Sequence, residues 1–327
     1  MNDRLKNQVC NLSPGTLIKG KWHQCVYRLV QKLGAGATGV VYLAESSTGL
    51  VALKISFNNM SVTSEVNVLR HFSKVHGKVL GPSLLDVDDW ESRLNSGPLS
   101  FYVMEYLKGE PFLEFIKKRG SEWTGILIVQ LLNDLYHLHE AGWVFGDLKP
   151  ENIIVTTAPV KVRWLDVGGT TLIGRSIKEF TDFYDRGHWG LGTRKAEPSY
   201  DLFAVAMIMI NAAYPKRFTR QENSLLQLKQ VIEKSPVLRP YRQCLIKAIT
   251  GKYEHALQMR TELLKKLSGE SVQETDVQVK TKAPKSQKNI QSRTIKRRRK
   301  KYHLLETVLL FLSLMVAYAM YVLIQTW

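Results

Sequence analysis

Cysteine is scarce in this chain: Cys10, Cys25 and Cys244 stand far apart and show no CxxC spacing. That argues against a disulfide framework or a cysteine-built zinc site and fits a reducing compartment. Met1 to Gly15 lacks an apolar run and carries Asp3, Arg4 and Lys6, so no secretory signal is expected. No internal repeat is present, which removes solenoids and propellers. Acidic residues are missing altogether from Lys280 to Lys301, where eleven Lys and Arg fall. The net charge of +17 is therefore concentrated in one tract, and the rest of the chain is only mildly basic. Such asymmetry points to an anionic partner for the tract and not for the fold.

With 327 residues and 44% hydrophobic content the chain can bury a full core. Tyr27 to Ile55 alternates apolar and polar residues around glycines, which predicts three antiparallel strands. Ser61 or Thr63 is placed to cap a helix running through Glu65 and Leu69 to about Phe72. Phe101 to Leu107 reads as a buried strand, and Trp123 to Glu140 as a helix that Gly142 ends. Two short strands follow, in IIVT and KVRWLDV. Asp201 to Tyr214 is apolar nearly all round, as a buried helix is, and residues 216–266 read as more polar helices. The expected fold class is α+β: a small β lobe with one helix, then a larger helical lobe, divided near residue 108.

Beyond Glu270 apolar content falls and Lys, Gln, Ser and Thr dominate, which predicts a disordered linker. Thr307 to Ile324 then gives 18 residues without a charge. A bilayer core needs about 20 apolar residues, so a membrane span is expected here.

Gly34-Ala35-Gly36-Ala37-Thr38-Gly39-Val40-Val41 follows one expected strand and opens another. A dinucleotide-binding fingerprint needs a helix after its glycines, and here a strand follows. The loop therefore suits a flap whose backbone amides cover phosphates, with a ligand-free hairpin as the alternative. Lys54 ends the apolar strand Val51-Ala52-Leu53-Lys54, where a charge is costly unless paired. Glu65, on the expected helix, is the natural partner.

Gly146-Asp147-Leu148-Lys149-Pro150-Glu151-Asn152 and Asp166-Val167-Gly168 complete the set. Together and in this order, over roughly residues 25–266, these motifs resemble the protein kinase superfamily of the Hanks, or eukaryotic-like, type. The resemblance implies a two-lobed serine/threonine protein kinase that uses ATP and Mg²⁺, with Mn²⁺ as an alternative, on protein substrates. By it, Lys54 holds the α- and β-phosphates and Glu65 orients it. Asn152 and Asp166 bind the metal, and hard oxygen ligands suit that ion. Asp147 takes the proton of the acceptor hydroxyl, and Lys149 stabilises the transferring group. Val41, Ala52 and Ile154 sandwich the adenine, Met104 lies behind it, and the backbone of Glu105 and Leu107 supplies hinge contacts. Gly34, Ala35, Gly36, Ala37, Thr38 and Gly39 cover the phosphates.

Four departures from the family stand out. His-Arg-Asp is here Phe145-Gly146-Asp147, so the usual receiver of an activation-loop phosphate is missing. Asp-Phe-Gly is Asp166-Val167-Gly168, and Phe145 and Val167 are expected to exchange bulk in one packed column. The connection from Lys54 to Glu65 is very short. Gly192-Thr193 resembles the substrate-side Gly-Thr, which would leave the segment before Asp201 truncated, with Ala196-Glu197-Pro198 a loose echo of Ala-Pro-Glu. With the basic linker and terminal span, these features look like the YabT-type membrane-anchored kinases of spore-forming bacilli.

The expected organisation is a segment 1–24, a kinase domain 25–268, a basic linker 269–303 and a span 304–327. Positive residues beside a span stay in the cytoplasm, which places the catalytic domain there, on a single-pass protein of the cell membrane. The cluster Lys296, Arg297, Arg298, Arg299, Lys300 and Lys301 suits anionic lipid headgroups and also sequence-independent DNA binding, through counterion release. Two alternatives share part of the pattern. One is a pseudokinase scaffold, which the loss of His and Arg favours. The other is a small-molecule kinase of the aminoglycoside or lipopolysaccharide type, in which Gly-Asp also precedes the catalytic loop.

Overall fold

The computed structural model describes residues 3–36, 38–72, 81–91 and 97–269. Ala37, the linker beyond Gly269 with its cluster Lys296 to Lys301, and the expected span at 304–327 lie outside them. Among the described residues no helix is long and apolar enough to cross a membrane.

The chain opens with α1 (Asp3–Cys10) and β1 (Leu17–Lys19), followed by β2 (Val26–Ala35), β3 (Gly39–Ser46) and β4 (Gly49–Ser56). The three strands expected between Tyr27 and Ile55 are thus present and pair antiparallel. Next come α2 (Asn59–Phe72), β5 (Leu84–Trp90) and β6 (Leu99–Glu105). The six strands form one sheet in the order β1-β2-β3-β4-β6-β5. Val62, Glu65, Val66, Leu69 and Phe72 fall at helical spacing on one buried stripe of α2. Glu65 sits on that stripe, so its carboxylate faces the protein interior. Only Phe57 and Asn58 separate β4 from α2, the short connection expected; the helix starts at Asn59, ahead of the caps read at Ser61 or Thr63.

Sequence reading sets residues 1–24 apart, yet they belong to the core of this lobe. Val9 and Ile18 are fully buried among Tyr27, Leu29, Tyr42 and Phe101. The Tyr42 hydroxyl donates to the Val9 carbonyl at 2.6 Å. An antiparallel bridge between Gly20 and Trp90 joins the two edges of the sheet. There Gly20 lies so close that a Cβ would stand 2.3 Å from Asp88 Oδ2. β5 escaped the sequence reading because Asp86, Asp88 and Asp89 are poor strand residues. Their carboxylates are taken up by the N-terminal segment. Asp88 accepts the Trp22 and His23 amides at 2.9 and 2.8 Å, and Asp86 takes the Tyr27 hydroxyl at 2.6 Å.

The second lobe begins with β7 (Glu110–Pro111), α3 (Phe112–Arg119), α4 (Glu122–Glu140) and β8 (Trp143–Val144). A hairpin of β9 (Ile153–Thr157) and β10 (Val160–Trp164) adds to β7, and β11 (Thr171–Leu172) pairs with β8. α5 (Pro198–Ala213) follows, with proline at its start, where the missing N–H costs nothing. It is buried from Tyr200 to Asn211. Around it pack α4, α6 (Ser224–Lys234), α7 (Arg242–Ile249) and α8 (Ala256–Leu267). The hairpin has a positioning role: the loop before β9 carries Asp147 to Asn152, and the turn after β10 carries Asp166.

Burial works against the charge on Asp88, yet the N–H groups of His23, Trp22 and Asp89 outweigh it and hold its carboxyl below the usual range. A carboxylate depressed on folding stabilises above its unfolded value, and that stability is lost as pH falls through the folded one. Asp88→Asn should therefore cost about 2 kcal/mol at neutral pH. The gap between variant and wild type should close as the solution is acidified, as thermal denaturation across pH will show.

Candidate active site

Between the β2–β3 turn, β4, β6 and the β9–β10 hairpin lies a cavity of about 650 Å³. Its walls include Gly34, Ala35, Gly36, Thr38, Gly39, Val41, Ala52, Lys54, Met104, Glu105, Leu107, Lys149, Asn152, Ile154 and Asp166. Nearly every residue singled out from sequence thus meets in one place, of a size that suits a small-molecule ligand. Glu65 stands behind Lys54, and Asp147 beside Lys149. One end is apolar, with Val41, Ala52, Met104 and Ile154; the other gathers the charges.

The apolar end is set by strand register. Ala52 of β4 pairs with Met104 of β6, and Val51 with Glu105. The Glu105 side chain is engaged elsewhere: Arg163 donates to it at 3.0 Å, and Ser83 through its amide at 3.2 Å. Burial raises its carboxyl, but Arg163 and Ser83 outweigh that and hold it below the usual range. The ion pair ties the end of β6 to β10.

At the charged end Lys54 Nζ lies 2.6 Å from Glu65 Oε2, with side chains only 6% and 4% exposed. Near-complete removal from water makes this pair costly to break, because either partner alone would be an uncompensated buried charge. Opposite, Lys149 Nζ is 2.5 Å from Asp147 Oδ2. The Asn152 amide donates to the Asp147 carbonyl at 2.9 Å, fixing the loop between them. Asp166 Oδ1 accepts the Gly168 amide at 2.9 Å and is otherwise exposed at the cavity wall.

Nothing in the sequence pattern distinguishes Thr181 from Thr170 or Thr171, and the structure gives it a place. Its hydroxyl donates to Asp147 Oδ1 at 3.0 Å and accepts from Lys149 Nζ at 3.1 Å. This corrects the reading of Gly192-Thr193 as the substrate-side pair: Thr193 is exposed, and its carbonyl takes Arg186. The segment before Asp201 is therefore measured from Thr181 and not from Thr193. Distance from Thr181 to Asp201 was the signal that could have found it. The segment between is held from within. Buried Asp185 accepts Arg194, Tyr200 and the amides of Gly187 and His188. Arg186 pairs with Glu197 at 2.7 Å.

Gly146 has a steric explanation. Its φ is +85°, and a Cβ there would lie 2.7 Å from the Gly169 carbonyl. A Cβ on Gly169 would in turn meet Asp147 Cβ at 2.9 Å. Catalytic loop and Asp166-Val167-Gly168-Gly169 thus pack backbone to backbone, where an arginine does not fit. Phe145 packs on Trp164, with ring centroids 5.1 Å apart, and Trp164 meets Phe72 of α2 at 6.0 Å. The packed column expected at this point runs Phe145–Trp164–Phe72, and Val167 is buried in the same core.

The residues fit a nucleotide with a divalent metal on their own chemistry. Gly34 and Gly36 have open space where a Cβ would be, so nothing in the fold itself calls for glycine there. A ligand approaching the backbone does. Asp166 and Asn152 supply hard oxygens, and Lys54 supplies a cation.

Comparison with known proteins agrees with this geometry. Residues 27–292 match the protein kinase domain family. The chain is 52% identical over 264 residues to the serine/threonine-protein kinase YabT of Bacillus subtilis, covering 81% of this chain and 78% of that one. A calcium/calmodulin-dependent protein kinase type 1B of Rattus norvegicus is 33% identical over 144 residues, 40% of this chain and 39% of its own. The solved structure of vaccinia related kinase 3 superposes with a TM-score of 0.60 at 15% identity, over 81% of this chain and 94% of that chain, a likeness of fold.

Restoring the family's arginine should damage this protein. Gly146→Arg and Gly146→Ala should each lower stability by about 1–3 kcal/mol, since both strain the backbone and collide with Gly169. Chemical denaturation of the two variants beside wild type will measure it.

Proposed function

The chain belongs to the protein kinase family and is a serine/threonine protein kinase, and from that premise we propose how its residues carry phosphate from ATP to a protein hydroxyl. Bound ATP supplies the phosphoryl group, and a bound divalent metal, Mg²⁺ or Mn²⁺, neutralises phosphate charge. Lys54, oriented by Glu65, holds phosphate oxygens. Asn152 and Asp166 hold the metal. The glycine-rich turn from Gly34 to Gly39 covers the phosphates with backbone amides, while Val41, Ala52, Met104 and Ile154 enclose the base. Asp147 accepts the proton of the acceptor serine or threonine and aims its oxygen. Lys149 offsets charge on the group in transit, and Thr181 steadies both. Phosphoryl transfer needs alignment and charge neutralisation more than covalent help, and this set supplies both. The observation that carries the reading is Lys149 seated 2.5 Å from Asp147 on the cavity that Lys54, Asn152 and Asp166 also line.

Asp147→Asn should cut transfer of radiolabelled phosphate by roughly 10²–10⁴-fold while nucleotide still binds. Lys54→Ala and Asp166→Ala should abolish transfer, and Asp166→Ala should weaken metal-dependent nucleotide binding most. Wild-type activity in Asp147→Asn would sink the assignment.

We further propose that residues 304–327 anchor the protein in the cell membrane with the catalytic domain on the cytoplasmic side. The support is 18 uncharged residues from Thr307 to Ile324 behind eleven Lys and Arg. The same tract attracts anionic headgroups at about 1 kcal/mol per basic residue. Its length beyond what topology requires favours double-stranded DNA as well, bound without regard to sequence and steeply dependent on salt. Several domains gathered on one DNA would phosphorylate each other. Removing 304–327 should release the protein from membranes. DNA should then raise autophosphorylation at low salt, and alanine at Lys296 to Lys301 should remove most of the rise. No rise, or one that the alanine form keeps, leaves the tract a topology and lipid signal.

A further inference from the structure

Behind Lys54 a third polar group completes the buried network. Tyr102 of β6 is the direct cross-strand partner of Lys54 on β4 and is 2% exposed. Its hydroxyl donates to Glu65 Oε2 at 2.5 Å, the same oxygen that receives Lys54 Nζ. Its ring also lies 5.9 Å from the ammonium. Burial first, and then the Glu65 carboxylate, hold the phenol well above the usual tyrosine range, so the hydroxyl remains a donor. Glu65 is thereby gripped from two sides.

The two grips differ in kind. Lys54 ends in a flexible ammonium whose remaining N–H groups serve the cavity, and phosphate oxygens compete for it. Tyr102 hangs from β6, held between β4 and β5, and its ring is fixed by packing. A carboxylate on α2 held only by Lys54 would lose its orientation whenever the lysine turned to a ligand. Held by Tyr102 as well, it stays aimed. The arginine that would receive a loop phosphate is missing from the catalytic loop, because Gly146 stands directly before Asp147.

We propose that Tyr102 is a positioning residue, whose hydroxyl fastens Glu65 to the β-sheet and so keeps Lys54 aligned without a phosphorylated loop. This rests on the reading of Lys54 as the phosphate-holding residue. Tyr102 also lines the cavity, and the effect carried through Glu65 is the part that matters only while Glu65 is present.

The test is steady-state kinetics of the full-length protein with magnesium-ATP and a basic protein acceptor. Tyr102→Phe keeps the ring and removes the hydroxyl. It should lower kcat/KM for ATP about ten- to hundredfold and raise KM for ATP, with KM for the acceptor unchanged. A merely structural defect lowers the active fraction, hence kcat, and leaves KM for ATP alone. In a Glu65→Ala background, or Glu65→Gln where alanine does not fold, Tyr102→Phe should add less than about twofold. Tyr102→Phe kinetics equal to wild type, or a loss undiminished in the Glu65 background, would overturn the proposal. Lys54→Ala runs alongside. If it uses ATP as wild type does, the reading of the site fails; if it is inactive while Tyr102→Phe is unaffected, only the role of Tyr102 fails.

Discussion

Asp201 is a carboxylate with no exposed surface, one turn into the most apolar of the described helices. Such a group costs several kcal/mol to bury unless both of its oxygens are hydrogen-bonded. Here it accepts the Phe145 amide at 2.8 Å, the Gly146 amide at 3.0 Å and the His139 imidazole at 2.9 Å. Its place in the first turn of α5 adds the favourable end of the helix dipole. The catalytic loop is thus bolted to the centre of the large lobe two residues before Asp147. Everything downstream depends on that bolt: the positive φ of Gly146, the aim of Asp147, and the seat that Lys149 and Thr181 share on it.

Further polar networks tie the surrounding elements together. Lys54, Glu65 and Tyr102 join β4, α2 and β6. Glu105 and Arg163 join the end of β6 to β10. Asp185 with Arg194 and Tyr200 draws together the segment ahead of α5. Burial opposes the charge of Glu105 and of Asp185, and hydrogen bonds from the partners outweigh it. Low local dielectric makes the Lys54, Glu65 and Tyr102 network costly to disrupt, whereas the partly exposed Arg163 and Arg194 pairs are screened by water.

The departures from the usual motifs compensate one another. Phenylalanine in place of histidine at Phe145 fills space against Trp164, which carries the contact on to Phe72 of α2. Glycine in place of arginine at Gly146 permits the close approach of Gly169. What the site loses is a receiver for loop phosphate, and what it gains is a tighter fit between the catalytic loop and the Asp166 turn.

Local pattern alone determined the strands β2 to β4 and the helices α2, α4 and α5, because period is a property of short stretches. The roster of cavity residues came instead from the resemblance of contiguous motifs to the kinase family. Lys54 and Glu65 could be paired on paper because a buried lysine requires a counter-charge. Only the tertiary structure decided the rest. β5 is a strand because residues some 65 positions away satisfy its aspartates, and no window of sequence holds both. Thr181, not Thr193, meets Asp147 because the course of the chain between Asp166 and Asp201 is set by Asp185 and Arg186, through contacts among exposed-looking polar residues. Tyr102 reads as one more aromatic in a buried strand. Its hydroxyl acquires a role only when β4, β6 and α2 bring three distant polar groups to one oxygen.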